Sequence, residues 1–440
     1  HDSHAAIFTD GQILASVGEE RISRVKNHYG FPYKAIDECL ELSGLSPQNI
    51  DVVAVANTTA FPAYLSDLWF NQDKQYDTSN YSFTYVKYLI LKHQLLRFGR
   101  DVDEYNAGYR DKHLGEILSS KGIDAEILFY DHHACHAASA FYSSEFDESF
   151  IAIADQHGDG KCCSFWHGRG TEISLVKSYN EVMSPGAFYT EITKYLGFKR
   201  YRHEGKVTGL SARGDAQKLR EPLSYLLKYS PSSERFSNVR PKTAIKLIDK
   251  VIYGLRKLIS REPYQSTYLA YQNYFREKID GHMIEDVAAG AQAVLEDFIL
   301  DIVQDNLEDS GCSNVAVAGG IFANVLINQK VLDLPQTENL FVFPNMGDGG
   351  LAVGAAQIAF YEKSPGFRRQ GQNTFFLGGR PNTDGLRDRL ENSGYQYTEF
   401  SHLNDQADAV ANLLQDKLVV GIVREEMEFG PRALCHRSII

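Results

Sequence analysis

Apolar residues along the chain fall into short runs separated by Gly, Asp and Asn, and most runs have the length of a strand. Ala5-Ala6-Ile7-Phe8 and Ile13-Leu14-Ala15-Ser16-Val17 flank Asp10-Gly11, a pair suited to the positive φ angles of a tight turn, and predict a hairpin. A helical stretch from Tyr33 to Leu45 follows, and then a buried-type strand, Val52-Val53-Ala54-Val55-Ala56. Residues 61–120 carry aromatics and helix formers and predict an inserted helical layer. Ile127-Leu128-Phe129-Tyr130 leads through Asp131 into a helix reaching about Tyr142. A second hairpin is predicted from Phe150–Ala154, turning at Gly158-Asp159-Gly160, into Cys162–Trp166. Two segments that open with the same strand, turn and returning strand point to a duplicated α/β unit.

Residues 215–310 read as mostly helical, with an amphipathic stretch from Asp286 to Val303. Two compact strand–loop–helix units come next. Val315–Ala318 runs through Gly319-Gly320 into a helix carrying Asn324 and Asn328; Phe341–Phe343 runs through Gly347-Asp348-Gly349-Gly350 into a small-residue helix from Leu351 to about Tyr361. A polar connector, Pro365 to Gln372, marks a domain boundary, after which helix Asp405–Gln415 and strand Leu418–Val423 begin a further unit.

The length, 440 residues, predicts about two to three domains. Lys+Arg 45 against Asp+Glu 57 leaves a net charge of −12, which disfavours nucleic acid as a partner but leaves room for a local basic pocket. Cys39, Cys135, Cys162, Cys163, Cys312 and Cys435 form no CxxC and are too sparse for a disulfide framework, so a reducing, cytoplasmic location is expected. No run approaches the ~18 apolar residues of a membrane span. His1 opens directly onto a strand and the chain stops after Arg437-Ser438-Ile439-Ile440, so a piece of a longer protein is expected.

His132 and His136 are four apart at a helix start, which places both imidazoles on one face, about 5–6 Å apart at Cβ, while His133 points about 100° away. Such a pair can clamp a metal or simply decorate a helix surface. Asp155 and Asp348 tip the balance, because the first ends an apolar strand and the second lies in a Gly-rich loop after another, where open α/β sheets place ligand groups. Two His and two Asp suit iron, manganese or zinc without choosing among them. Gly319-Gly320 and Gly347–Gly350 are loops over which an anion can approach the backbone. Arg21, Arg24 and Lys26, like Glu204-Gly205-Lys206, read equally as phosphate contacts or as solvated charge. No GxSxG elbow and no Walker A motif is present. Trp69, Phe70, Tyr81, Phe83, Tyr85 and Tyr88 could stack on a sugar, with helix-core packing the weightier reading.

Together these residues resemble the ATP-dependent O-carbamoyltransferases of antibiotic and nodulation-factor biosynthesis. The likeness is carried by His1-Asp2-Ser3-His4-Ala5-Ala6, Glu19-Glu20-Arg21 with Arg24 and Lys26, and His132-His133-Ala134-Cys135-His136. It continues through Glu204-Gly205-Lys206, Gly319-Gly320 with Asn324 and Asn328, Gly347-Asp348, and Glu428-Phe429-Gly430-Pro431-Arg432-Ala433-Leu434, the most specific stretch. Arg424-Glu425-Glu426-Met427 departs from the family's Gly-Arg pair, and Cys435 stands where the family carries glycine.

The resemblance implies an α/β fold of the actin, sugar-kinase and heat-shock-ATPase type, duplicated and with helical insertions, over residues 1–362. A linker over 363–375 and the start of a second, threonylcarbamoyl-adenylate-synthase-like (YrdC-like) α/β domain over 376–440 would follow. It implies carbamoyl phosphate and ATP as substrates, carbamoyladenylate as intermediate, and a small hydroxyl-bearing molecule or sugar as acceptor. By motif position, His132, His136, Asp155 and Asp348 would hold one divalent metal, with iron the expected ion. Lys26, Gly186, Gly319, Gly320 and Asn324 would contact the nucleotide or carbamoyl group, and Arg432, with Arg437 beside it, the carbamoyl-phosphate side. His1, Lys26 and Asp155 would be catalytic, with His1 near the acceptor hydroxyl. A homodimer stays open. The competing readings are a threonylcarbamoyl transferase acting on tRNA, disfavoured by the acidic charge, and a non-catalytic nucleotide-binding partner of the same fold.

Overall fold

A computed structural model describes residues 2–58, 102–180, 184–230, 271 and 274–440. His1, the aromatics between Trp69 and Tyr88, and much of the two insertions lie outside the described residues. The chain begins with strands β1 (His4–Thr9) and β2 (Gln12–Gly18), helices α1 (Glu19–Ser23) and α2 (Tyr33–Ser43), and strand β3 (Val52–Ala56). Helix α3 (Val102–Ser120), strand β4 (Glu126–Tyr130) and helix α4 (His132–Ser143) lead to β5 (Glu148–Gly158), β6 (Lys161–Arg169) and β7 (Glu172–Asn180). Helices α5 (Pro185–Tyr195), α6 (Glu204–Ser211), α7 (Arg220–Ser224) and α8 (Ile284–Ser310) precede β8 (Asn314–Ala318), α9 (Val325–Leu332), β9 (Asn339–Val342) and α10 (Leu351–Lys363). Helices α11 (Leu386–Ser393) and α12 (Leu403–Gln415) and strands β10 (Gly421–Val423) and β11 (Arg437–Ile439) complete the chain.

Both predicted hairpins form, and each turns on Asp-Gly with positive φ at both residues: Asp10 51° and Gly11 76°, Asp159 46° and Gly160 80°. β1 and β2 pair antiparallel, β3 and β4 pair parallel, and the second half builds a five-stranded mixed sheet in the order β7-β6-β5-β8-β9. In that sheet β5 is antiparallel to β6 and parallel to β8, so the carboxyl ends of β5, β8 and β9 share one edge.

Alternation along the central strands sorts two apolar layers. Phe150, Ala152, Val315 and Val317 face α5 and α8, joining Phe188, Ile192, Leu295 and Phe298. Ile151, Ile153, Ala316 and Ala318 face the other way, onto Ala138, Phe141, Leu351 and Val353 of α4 and α10. α4 is buried from Cys135 to Ser143, and it approaches α10 so closely that a Cβ on Gly354 would fall 1.8 Å from the Cys135 carbonyl oxygen.

The structure differs from the sequence reading in several places. Asn324 caps α9 instead of lying within a helix, because its carboxamide oxygen accepts from the Leu326 N–H (3.2 Å), and the preceding Gly320–Ala323 is a single 3-10 turn. Strand pairing at the end is confined to Gly421–Val423, although Val420 and Ile440 also exchange backbone hydrogen bonds. Edge strand β7 and helix α5 were not anticipated by the pattern. The Pro365–Gln372 connector is not slack: the Arg369 guanidinium donates to the carbonyls of Phe141 (3.0 Å), Ser144 (2.7 Å), Gly170 (3.0 Å) and Phe146, and lies over the Phe141 ring. Gln372 meanwhile trades hydrogen bonds with the backbone of Ile13.

Arg369→Ala should therefore destabilise the protein by about 2–4 kcal/mol, because several carbonyls lose a charged donor at once. Urea denaturation checks this; a change below about 0.5 kcal/mol would mean that the connector is held by other contacts.

Candidate functional site

The Asp131 carboxylate accepts from the Ala134 N–H (3.0 Å) and pairs with Lys161, which starts α4 abruptly at His132. Asp159 in the β5–β6 turn accepts from the His132 N–H (2.9 Å), and Gly158 packs beneath the His132 ring, where a Cβ would meet Cδ2 at 2.2 Å. These contacts aim His132 and His136 at the carboxyl edge of the sheet.

There the four expected ligand residues converge. One ligand atom from each of His132, His136, Asp155 and Asp348 lies within 4.8 Å of the others. His136 Nε2 is 3.2 Å and His132 Nε2 3.6 Å from Asp155 Oδ2; Asp348 Oδ1 is 3.7 Å from His132 Nε2 and 4.0 Å from His136 Nε2. The two histidines and Asp155 are buried and Asp348 is half-buried. His133 turns away, as its position on the helix predicts, and bonds Ser164 Oγ at 2.8 Å. Burial, then the charges of His136 and His132, push its pKa down to about 3.

Electrostatics bind the cluster together. Burial alone would raise the Asp155 carboxyl, but His132 and His136 outweigh it and hold the group well below the usual carboxylate range. Burial likewise opposes a charged His132, yet Asp155 and Asp348 lift its pKa above the ordinary value. The donor set fits a metal ion: His132 Nε2 is a buried nitrogen with no hydrogen-bond partner, aimed at two carboxylates. A cavity of about 1290 Å³ reaches this cluster, lined among others by His4, Asn57, His132, Asp159 and Asp348.

The remaining expected residues divide. Gly320 is exposed beside the cluster, and a Cβ there would come within 3.1 Å of Asp155 Oδ1. Gly319, at φ 100°, lies against the Ala154 carbonyl, where a Cβ would fall at 2.3 Å, so it serves strand packing. Gly186 is buried at the start of α5 against Gln156. Asn324 is buried, with its carboxamide paired to Gln292. Lys26 is exposed, and its carbonyl accepts from Arg202 (3.5 Å). Arg432 Nη2 donates to the Ala323 carbonyl (2.5 Å), bringing the Gly-Pro-Arg segment onto the turn that follows Gly320, while Arg21 reaches the Gly430 carbonyl (3.3 Å). The guanidinium of Arg437 instead donates to the carbonyls of Arg424, Glu425 and Gly379. Glu428 Oε1 accepts from three backbone N–H groups, of Leu434, His436 and Arg437. Burial works against ionisation of Glu428, but these donors prevail and bring its pKa to about 2.

Residues 1–357 match the family described as Carbamoyltransferase N-terminus, and residues 411–440 that described as Carbamoyltransferase C-terminus. The chain belongs to the carbamoyltransferase family. It is similar to nodulation protein NolNO of Sinorhizobium fredii, 29% identical over 443 residues, a match taking in 100% of this chain and 58% of that protein. Nodulation protein NolO of Bradyrhizobium diazoefficiens is 27% identical over 310 residues, with 70% of this chain and 53% of NolO covered. The chain thus spans little more than half the length of these two relatives. Among solved structures, HypF of T. kodakarensis is similar over 58% of this chain and 39% of its own, at 16% identity and a TM-score of 0.32, too slight a likeness to carry an argument.

Sequence reasoning passed over several residues that shape the site of this carbamoyltransferase chain. Asp159 was read only as a turn residue, although its carboxylate holds both the His132 and Thr58 N–H groups (2.9 and 3.0 Å). Glu19, noted only as part of a motif, is buried and accepts from the Ala35 N–H (2.7 Å). His4 is half-buried between Gly18 and Gly349, with Nδ1 2.8 Å from the Asp2 carbonyl oxygen. Glu19 and His4 had a local signal, since each stands in a motif that carries the resemblance; Asp159 had none beyond its turn.

In the metal-free protein, Asp155→Asn should drop the His132 pKa below the ordinary imidazole value of about 6.5, because burial then meets a weaker opposing charge. NMR titration of the imidazole signals measures it, and an unchanged value would contradict the pairing. Asp155 also sets a sign for stability. Its carboxyl is depressed on folding, so its contribution is complete above the unfolded value near 3.9 and is lost as the pH falls.

Proposed function

We propose that this chain carries the group-transfer site of an ATP-dependent O-carbamoyltransferase, which moves a carbamoyl group from carbamoyladenylate to a hydroxyl of a small molecule or sugar. The observation that carries the reading is the convergence of His132, His136, Asp155 and Asp348 beside the exposed Gly320, within a carbamoyltransferase-family chain. The succession of hairpin, helix, strand, helix and strand in both halves, with an Asp-Gly turn opening each, supports a duplicated fold of the actin and sugar-kinase type. On this reading residues 376–440 begin a carbamoyl-activating domain.

The four residues would hold one divalent ion, which when bound would supply Lewis acidity toward the carbamoyl group; two nitrogen and two oxygen donors admit iron, and the resemblance favours it. The protein does the rest. Gly320 leaves space beside Asp155 that any larger residue would fill, so the adenylate can lie close to the backbone. Arg432, held at the Ala323 carbonyl, and the exposed Lys26 are cations available to the phosphate groups. The acceptor oxygen attacks the carbamoyl carbon, the bond from that carbon to the phosphate oxygen breaks, and AMP leaves. The hydroxyl proton passes to a base, the role proposed for His1.

The test supplies the chain with pre-made carbamoyladenylate and a panel of sugar alcohols, and follows carbamoylated product and AMP. Wild-type protein should form product. His136→Ala should lose stoichiometric metal together with transfer, and Gly320→Val should weaken binding of an adenine nucleotide at least tenfold, about 1.4 kcal/mol. Equal metal content in His136→Ala and wild type would overturn the site as drawn.

A further inference from the structure

A second group of potential ligands lies at the other end of the sheet, and the established family does not account for it. Glu148, His167 and Cys312 each place one ligand atom within 4.8 Å of the other two. Strand register explains why they meet. His167 on β6 is opposite Phe150 on β5, and Glu148 precedes Phe150 by two residues, so both side chains leave the sheet on the same face. Val315 of β8 flanks Phe150 on its other side, and Cys312 lies three residues before it, just past the αL residue Gly311 that ends α8. Glu148 and Asp155 are seven residues apart on β5, which separates the two clusters by about 23 Å along the strand.

We propose that Glu148 Oε1, His167 Nε2 and Cys312 Sγ form a second metal site, which takes zinc. Imidazole, carboxylate and thiolate are the donors that Zn²⁺ accepts, and the sulfur argues against the hard cations magnesium and calcium. His167 Nε2 already lies 2.8 Å from Glu148 Oε1. Arg169 engages the other oxygen, Oε2, at 3.2 Å, which fixes the carboxylate with Oε1 toward the histidine. The Cys312 loop is fixed as well, its N–H donating to Ser310 Oγ at 3.1 Å. All three residues are half-buried, so an ion can enter and a water can complete a tetrahedron. The carboxyl end of the 27-residue helix α8 adjoins the site, and its dipole favours a cation there. Bound zinc would tie β5, β6 and the entry to β8 together where none of them is covered by the catalytic cluster.

Cobalt(II) distinguishes this site from the first, because only the second contains sulfur. Titrated into the full chain, it should produce a near-ultraviolet thiolate-to-cobalt charge-transfer band that saturates by two equivalents, one for each cluster, and is displaced by zinc. The band should vanish in Cys312→Ser. In His167→Ala the cobalt affinity should fall at least tenfold, and in His136→Ala the band should persist, since that substitution empties only the other cluster. With the first cluster removed by His136→Ala, zinc should still raise the melting temperature, and it should not do so once Cys312→Ser is added to that variant. Absence of a band in wild type would overturn the proposal, as would an equal band in Cys312→Ser. Should Cys312→Ser fail to fold by circular dichroism, the same comparison is read from His167→Ala, where an undiminished band would be equally fatal.

Discussion

Two helices built from small residues approach one another until no side chain fits between them. At the crossing of α4 and α10, Gly354 faces the Cys135 carbonyl with room for a hydrogen and nothing more. Ala137, Ala138 and Ala140 on α4 and Ala355 on α10 are buried, and both helices seat on Ile151, Ile153, Ala316 and Ala318 of the sheet. α4 begins with His132 and His136 and α10 follows directly on the loop bearing Asp348, so this contact decides whether the four side chains of the cluster can meet. A side chain at 354 would part the helices and pull His136 from Asp348 while leaving all four residues of the cluster in place along the sequence.

The same packing creates an electrostatic problem that a bound cation would solve. Two carboxylates and two imidazoles share a small space in which three of the four residues are buried. In the metal-free state the depressed Asp155 and the elevated His132 offset one another, and Asp131, Lys161 and Asp159 brace the helix start from outside. Such supporting contacts orient the ligand atoms, which is why residues that touch no substrate still matter to the site.

Local pattern revealed a good deal of this. Val52–Ala56 coincides with its predicted strand, both Asp-Gly turns were legible, and the i,i+4 histidines with two strand-end aspartates located the cluster. What escaped notice depends on distant partners. Arg369 reads as a charge in a polar connector until the carbonyls of the α4–β5 loop converge on it, and the motif residue Glu19 shows its buried bond to Ala35 only once α2 folds over it. β7 was missed because as an edge strand it keeps Leu175 and Val176 exposed, which blurs its alternation. Asn324 fits a helical pattern as well as a cap, and only its bonds to Leu326 and Gln292 separate the two. The departures at Glu425 and Cys435 gain a physical meaning as well: they lie at φ 43° and 70°, the region that glycine tolerates best.

X-ray absorption at the metal edge of the iron-loaded protein tests the central claim most directly. The account predicts a first shell of nitrogen and oxygen only, with the multiple-scattering signature of two imidazoles from His132 and His136. A shell without imidazole scattering, or one whose sulfur persists in Cys312→Ser, would contradict it.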